Sequence, residues 1–188
     1  YTDWHNYWPH HTLRNLWSLA RRIDPARLRF EFLNPGRNQN LYAGDPLAPA
    51  CYSPDALFAT VMFSNPLAWC ELSSLPDDFA SQIAPLVRVW KIYRNEIFAG
   101  TILPVGAAPD GVAWTGFLSL VDDDSHGYAL VFRENNPHSS CRFACPDSAL
   151  NAVQWEMVAG EGSVSSDPAG ISVSIPRKLG YLFARFQL

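Results

Sequence analysis

Residues 28–36 read Leu-Arg-Phe-Glu-Phe-Leu-Asn-Pro-Gly, an aromatic-rich run short enough for one strand and closed by a turn signal at Asn34-Pro35-Gly36. Working backwards, Leu13, Leu16, Trp17, Ala20 and Ile23 recur at steps of three and four. That spacing predicts a helix over 12–23 with one buried face, capped by Thr12 and stopped by Asp24-Pro25. Working forwards, a loop from Asn34 to Tyr52 leads to Ser53-Pro54-Asp55. Ser there suits a helix cap, Pro the first turn and Asp the positive end of the dipole, so a helix is expected to about Phe63. Leu67-Ala68-Trp69-Cys70-Glu71-Leu72 then makes a second, mostly apolar strand. A third helix follows over 76–98, with Phe79, Ile83, Trp90 and Ile97 on one side. Strands that are apolar throughout belong to parallel sheets covered by helices on both faces.

This alternation predicts the closing part of a (β/α)₈ barrel. A whole barrel takes roughly 250 residues, more than the 188 present, and the chain opens on Tyr1 in place of Met. The expectation is therefore a piece of a longer protein, with the rest of the barrel upstream. After Gly100 the texture changes to short runs separated by Gly, Pro, Asn and Asp. Strands are expected near 101–105, 114–121, 128–133, 141–144, 153–158, 171–175 and 181–187. Such spacing without a helical period predicts an antiparallel β-sandwich. The fold class is thus α/β plus all-β, with 1–99 as the distal barrel and 100–188 as the sandwich; Trp114, Phe117, Tyr128 and Phe132 are read as sandwich core.

Composition narrows the function. Net charge is −4, with no Lys/Arg cluster, which argues against nucleic acid and anionic membrane surfaces. The longest apolar stretches, such as 56–63, fall far short of the roughly 20 residues that span a bilayer. Cys51, Cys70, Cys141 and Cys145 lack Cys-x-x-Cys spacing. On one strand, Cys141 and Cys145 would sit roughly 13 Å apart, too far to bridge. All four are read as thiols. No cofactor is expected. The compartment is not fixed by the sequence, with the cytoplasm favoured over export, and a second copy of the chain stays open as a partner.

Loops that follow strands form the active face of a barrel. Two segments fall there. In the first, Asp3 stands beside Trp4 and His5; an acid against an aromatic wall has its pKa raised by desolvation and can hold a proton to donate. It can equally be a solvated or capping Asp. Trp4, Tyr7 and Trp8 offer flat faces on which sugar C–H groups stack, or they fill core. His5, His10 and His11 match no metal-ligand spacing, so no metal is expected. In the second segment, Asn34, Arg37 and Asn38 could bind hydroxyls or a carboxylate, or serve as turn residues, and a loop this long is usually a binding loop or a link. Glu71, ending the second strand, is left between touching ligand, pairing with Arg37 and capping the following helix.

Three stretches resemble a known family. Thr2-Asp3 followed by Thr12-Leu13-Arg14-Asn15-Leu16, the run Leu67 to Leu75, and Tyr93-Arg94-Asn95-Glu96-Ile97-Phe98-Ala99-Gly100 resemble the carboxyl-terminal portion of the α-galactosidase-like enzymes of glycoside hydrolase family thirty-six, in the melibiase clan. The resemblance implies a retaining glycosidase acting on a carbohydrate, with two catalytic aspartates. Asp3 would be the acid/base, the nucleophile would lie upstream, and Trp4, His5, Asn34, Arg37 and Glu71 would bind substrate. On that reading the present chain alone is inactive. The alternative is a non-catalytic carbohydrate-binding or structural β-sandwich module.

Overall fold

A computed structural model describes residues 7–68, 75–121, 126–144 and 153–187. Helix α1 (Pro9–Leu19) starts three residues earlier than the periodicity suggests, with Trp8 at its cap and Pro9 at its first position. Proline is favoured there because its missing N–H is unsatisfied in any case. Thr12 is therefore a buried residue inside the helix, not its cap. Strand β1 (Arg29–Glu31) follows, then the long loop, α2 (Pro54–Ala59), β2 (Asn65–Leu67) and α3 (Phe79–Ala99). β1 and β2 pair in parallel, with Phe30 opposite Pro66, and the Asn65 N–H donates to the Leu28 carbonyl. The second strand shares only Leu67 with the expected run 67–72 and starts two residues before it, at Asn65; residues 69–74 are outside the described set. Among the described residues no third strand joins this pair.

The C-terminal half is built from two antiparallel sheets. The larger contains β3 (Thr101–Gly106), β4 (Trp114–Leu120), β5 (His126–Arg133), β10 (Gly180–Gln187) and β7 (Gln154–Gly160), in that spatial order. The smaller has β9 (Gly170–Ser174) between β6 (Ser140–Phe143) and β8 (Ser163–Asp167). β8 is the strand the sequence does not announce. It reads Ser-Val-Ser-Ser-Asp, almost wholly polar, and is joined to β7 through Glu161-Gly162. Gly162 sits at φ 119°, where a β-carbon would meet the Ser174 carbonyl oxygen at 1.9 Å, so only glycine fits.

The three central strands of the large sheet, β4, β5 and β10, are buried on both faces. Trp114, Leu118, Val131, Leu182 and Phe186 pack against Phe143, Ile171 and Val173 of the small sheet, which makes the sandwich. The alternate residues Phe117, Tyr128, Leu130, Phe132, Tyr181 and Phe183 belong to a second core, shared with Leu16, Phe30, Leu57, Phe63, Phe79 and Trp90. Sequence reading placed Phe117, Tyr128 and Phe132 inside the sandwich. They point the other way, because strand side chains alternate between faces and a helical layer covers this one. Rings interlock across the junction: Phe63 lies edge-on to Phe183 at 6.2 Å, and Tyr93 tilts against Tyr128 at 5.6 Å. At the joint the Ser119 hydroxyl donates to the Ile97 carbonyl at 2.7 Å. Gly100 lets the backbones close, since a β-carbon would fall 2.5 Å from that hydroxyl. Among the described residues no helix is long and apolar enough to cross a membrane.

Candidate functional site

The loop between β1 and α2 is a succession of tight turns. Asn34 starts it: its Oδ1 accepts from the Gly36 N–H at 2.8 Å, an Asx turn. Asn38 takes a left-handed conformation, φ 55°, which Asn tolerates better than most residues. Backbone bonds of the three-residue-back type recur from Arg37 through Tyr52, so most of the loop's amides are satisfied locally. Asp45 fastens the middle: Oδ1 accepts from the Leu47 N–H at 2.8 Å, and Oδ2 from the Trp8 indole N–H at 2.7 Å. The Trp8 ring meets Tyr42 edge-on at 4.8 Å. Tyr7 does the same from the core side, its hydroxyl accepting the Asn34 N–H at 2.8 Å, while the Arg37 guanidinium sits 5.1 Å from the Tyr7 ring centre.

These turns enclose an open cavity of about 460 Å³, bordered by Pro35, Arg37, Gln39, Tyr42, Asp45 and Cys51 among others. Small-ligand pockets run from roughly 300 to 1,000 Å³, and this volume lies in that range. The lining combines a cation, a carboxylate, an amide and an aromatic ring, the groups that handle hydroxyls and C–H faces. Of the residues expected from sequence, Arg37 borders the cavity. Asn34 lies behind it, fully buried. Asp3, Trp4, His5 and Glu71 fall outside the described residues. Tyr42, Gln39 and Asp45 are not singled out by sequence reasoning; Asp45 sits in Ala-Gly-Asp-Pro, which reads as plain turn chemistry, and only its bond to Trp8 sets it apart.

His10 and His11 stack edge-on at 4.3 Å. Burial, then the neighbouring His11 and Arg14, lower the His10 pKa to about 4, so it is a neutral imidazole. Among the described residues no group of three or more His, Cys, Asp or Glu side chains could hold a metal ion. Cys51 and Cys141 are free thiols.

No family model matches the chain, and no curated protein sequence does. Solved structures match its fold. Along 97% of its length the chain superposes on the galactosidase domain of the alpha-galactosidase-sucrose kinase AgaSK, with a TM-score of 0.62 and 14% identity, covering 25% of that structure. Along 71% it superposes on the GH36 alpha-galactosidase AgaB from Geobacillus stearothermophilus, with a TM-score of 0.50 and 15% identity, covering 19% of it. The architecture is thus that of a β/α segment backed by an antiparallel sandwich. More narrowly, it is the fold found within α-galactosidase domains, and the chain spans about a quarter of the length of the first of them.

Proposed function

We propose that this chain is the carboxyl-terminal portion of a retaining glycoside hydrolase of the α-galactosidase type, with 1–99 closing the catalytic barrel and 100–188 forming the supporting sandwich. The observation that carries this reading is the match of fold along 97% of the chain to a galactosidase domain. The cavity on the loop after β1 supports it, since active sites of β/α barrels lie on the loops that follow strands. In this reading Asp3 is the acid/base and the nucleophile comes from the upstream part of the protein. The two carboxyl groups of a retaining pair stand roughly 5 Å apart. Asp3 protonates the glycosidic oxygen as the nucleophile attacks, then takes a proton from the water that releases the sugar. Arg37, with Glu71, Trp4 and His5, binds the sugar around that centre, whereas Asn34, expected from sequence as a ligand residue, is fully buried and shapes the loop by accepting the Gly36 N–H.

The test is kinetic and uses the full-length protein. Asp3→Ala lowers turnover by roughly 10²–10⁴ on alkyl glycosides, whose leaving groups need a proton, and far less on nitrophenyl glycosides, whose leaving groups do not. Equal turnover of both substrate types, unchanged by the substitution, refutes the acid/base role. Sugar binding by a full-length protein that shows no hydrolysis on any glycoside favours a binding module instead.

A further inference from the structure

Helix α1, the end of the long loop and the large sheet meet at a second, much smaller cavity of about 10 Å³, bordered by His10, Tyr52, Thr60, Arg133 and Glu134 among others. Three polar atoms of these residues, one from α1, one from the loop and one from the residue that follows β5, have no hydrogen-bond partner among the described residues: His10 Nδ1, Tyr52 Oη and Glu134 Oε1. His10 and Glu134 are only 8% and 3% exposed. The neighbouring polar groups are already engaged. Glu134 Oε2 accepts the N–H groups of Asp110, Gly111 and Ala113 at 3.1, 2.8 and 2.8 Å. The Thr60 hydroxyl donates to the Leu57 carbonyl. The Arg133 guanidinium donates to the carbonyls of Asn136, Pro137, Ile175 and Pro176.

We propose that this cavity is a binding site for a single water molecule, held by His10 Nδ1, Tyr52 Oη and Glu134 Oε1, that joins α1 and the long loop to the sandwich. The size fits one water, which needs roughly 10–15 Å³ and typically makes about three hydrogen bonds. The chemistry fits too. Water accepts from the Tyr52 hydroxyl, which burial keeps protonated, donates to the neutral His10 ring, and at Glu134 Oε1 accepts when the buried carboxyl holds its proton and donates when it has lost it. A cation is a poor alternative: only one of the three groups is an acid, and a guanidinium shares the wall. The water acts on the larger cavity through both of its flanks. Tyr52 follows Cys51, which lines that cavity. Glu134 fixes the turn at Gly111, which packs so closely on Leu47 that an added β-carbon would come within 2.4 Å of its Cδ1.

A high-resolution crystal structure of the protein, paired with hydrogen exchange on Tyr52→Phe, tests the proposal. The expected result is one water peak within about 3.2 Å of the three atoms, and amide exchange of residues 47–52 several-fold faster in the variant. Three results overturn it: a direct Tyr52–Glu134 bond with no peak between them, a peak with oxygen contacts near 2.4 Å as for a cation, or loop exchange unchanged in the variant.

Discussion

Glu134 and His10 border the same small cavity, and burial drives their ionisation in opposite directions. The Glu134 pKa rises from 4.5 to about 7 because burial outweighs the three backbone N–H donors on its Oε2. The folded chain therefore keeps this proton where the unfolded chain has lost it, and the stability it contributes fades as pH rises from about 4.5 to 7. His10 falls from 6.5 to about 4, so its contribution is complete above about 6.5 and fades as pH falls towards 4. Each is worth at most about 3 kcal/mol. Between pH 4.5 and 6.5 the two slopes oppose one another. Denaturant titrations across this range should show Glu134→Gln gaining stability with pH relative to the parent, and His10→Asn losing it. Parallel profiles for all three proteins would refute the assignment. Arg133 belongs to this scale as well: it is buried, and its guanidinium caps the carbonyls of Asn136, Pro137, Ile175 and Pro176. Arg133→Met should cost about 3 kcal/mol or more in chemical denaturation, because several buried carbonyls lose their donors at once.

The long loop is held as an element by its turns and by Asp45. Removing that carboxylate frees the Trp8 indole and the Leu47 amide together. Asp45→Ala should therefore cost about 1–2 kcal/mol and speed both proteolysis and amide exchange within 36–52, while exchange in β4, β5 and β10 stays as it was. Faster exchange everywhere would mean that Asp45 holds the whole fold and not the loop. The elements differ in how far they are written in the sequence. α3 is plain, because Phe79, Leu86, Trp90 and Ile97 repeat at helical spacing and all four are buried. β8 is hidden: its apolar content is a single Val164, and its pairing with β9 supplies the backbone bonds that define it. The start of α1 is misplaced in a sequence reading because Thr12 is a good cap in isolation, whereas the chain turns into the helix at Trp8-Pro9. Of the cavity lining, Arg37 is visible from its place after a strand. Asp45 is not, since its role depends on an indole 37 positions away.

Over the whole molecule, the large sheet is the shared wall of two cores, and this decides how the chain comes apart. Phe183 touches the rings of Phe63 and Tyr93 across the junction and that of Tyr128 on the neighbouring strand. Phe183→Ala should cost about 3–5 kcal/mol and shift one cooperative transition monitored in both halves, rather than split it in two. Residues 100–188 made alone would expose Phe117, Tyr128, Leu130, Phe132, Tyr181 and Phe183, which the helical half otherwise covers. That piece should bind hydrophobic dyes or self-associate in sedimentation experiments, and a stable monomer without dye binding would contradict the shared core. The sequence by itself determined the alternation of helix and strand in the first half with its parallel pairing, and the antiparallel character of the remainder, because periodicity and turn chemistry are local properties of the chain. Only the tertiary structure decided which face of the large sheet meets which partner, that a polar pentapeptide is a strand, and that the loop after β1 folds into a cavity. Those outcomes rest on contacts between residues far apart in the chain, and alternation along a strand says that it has two faces without saying what covers each.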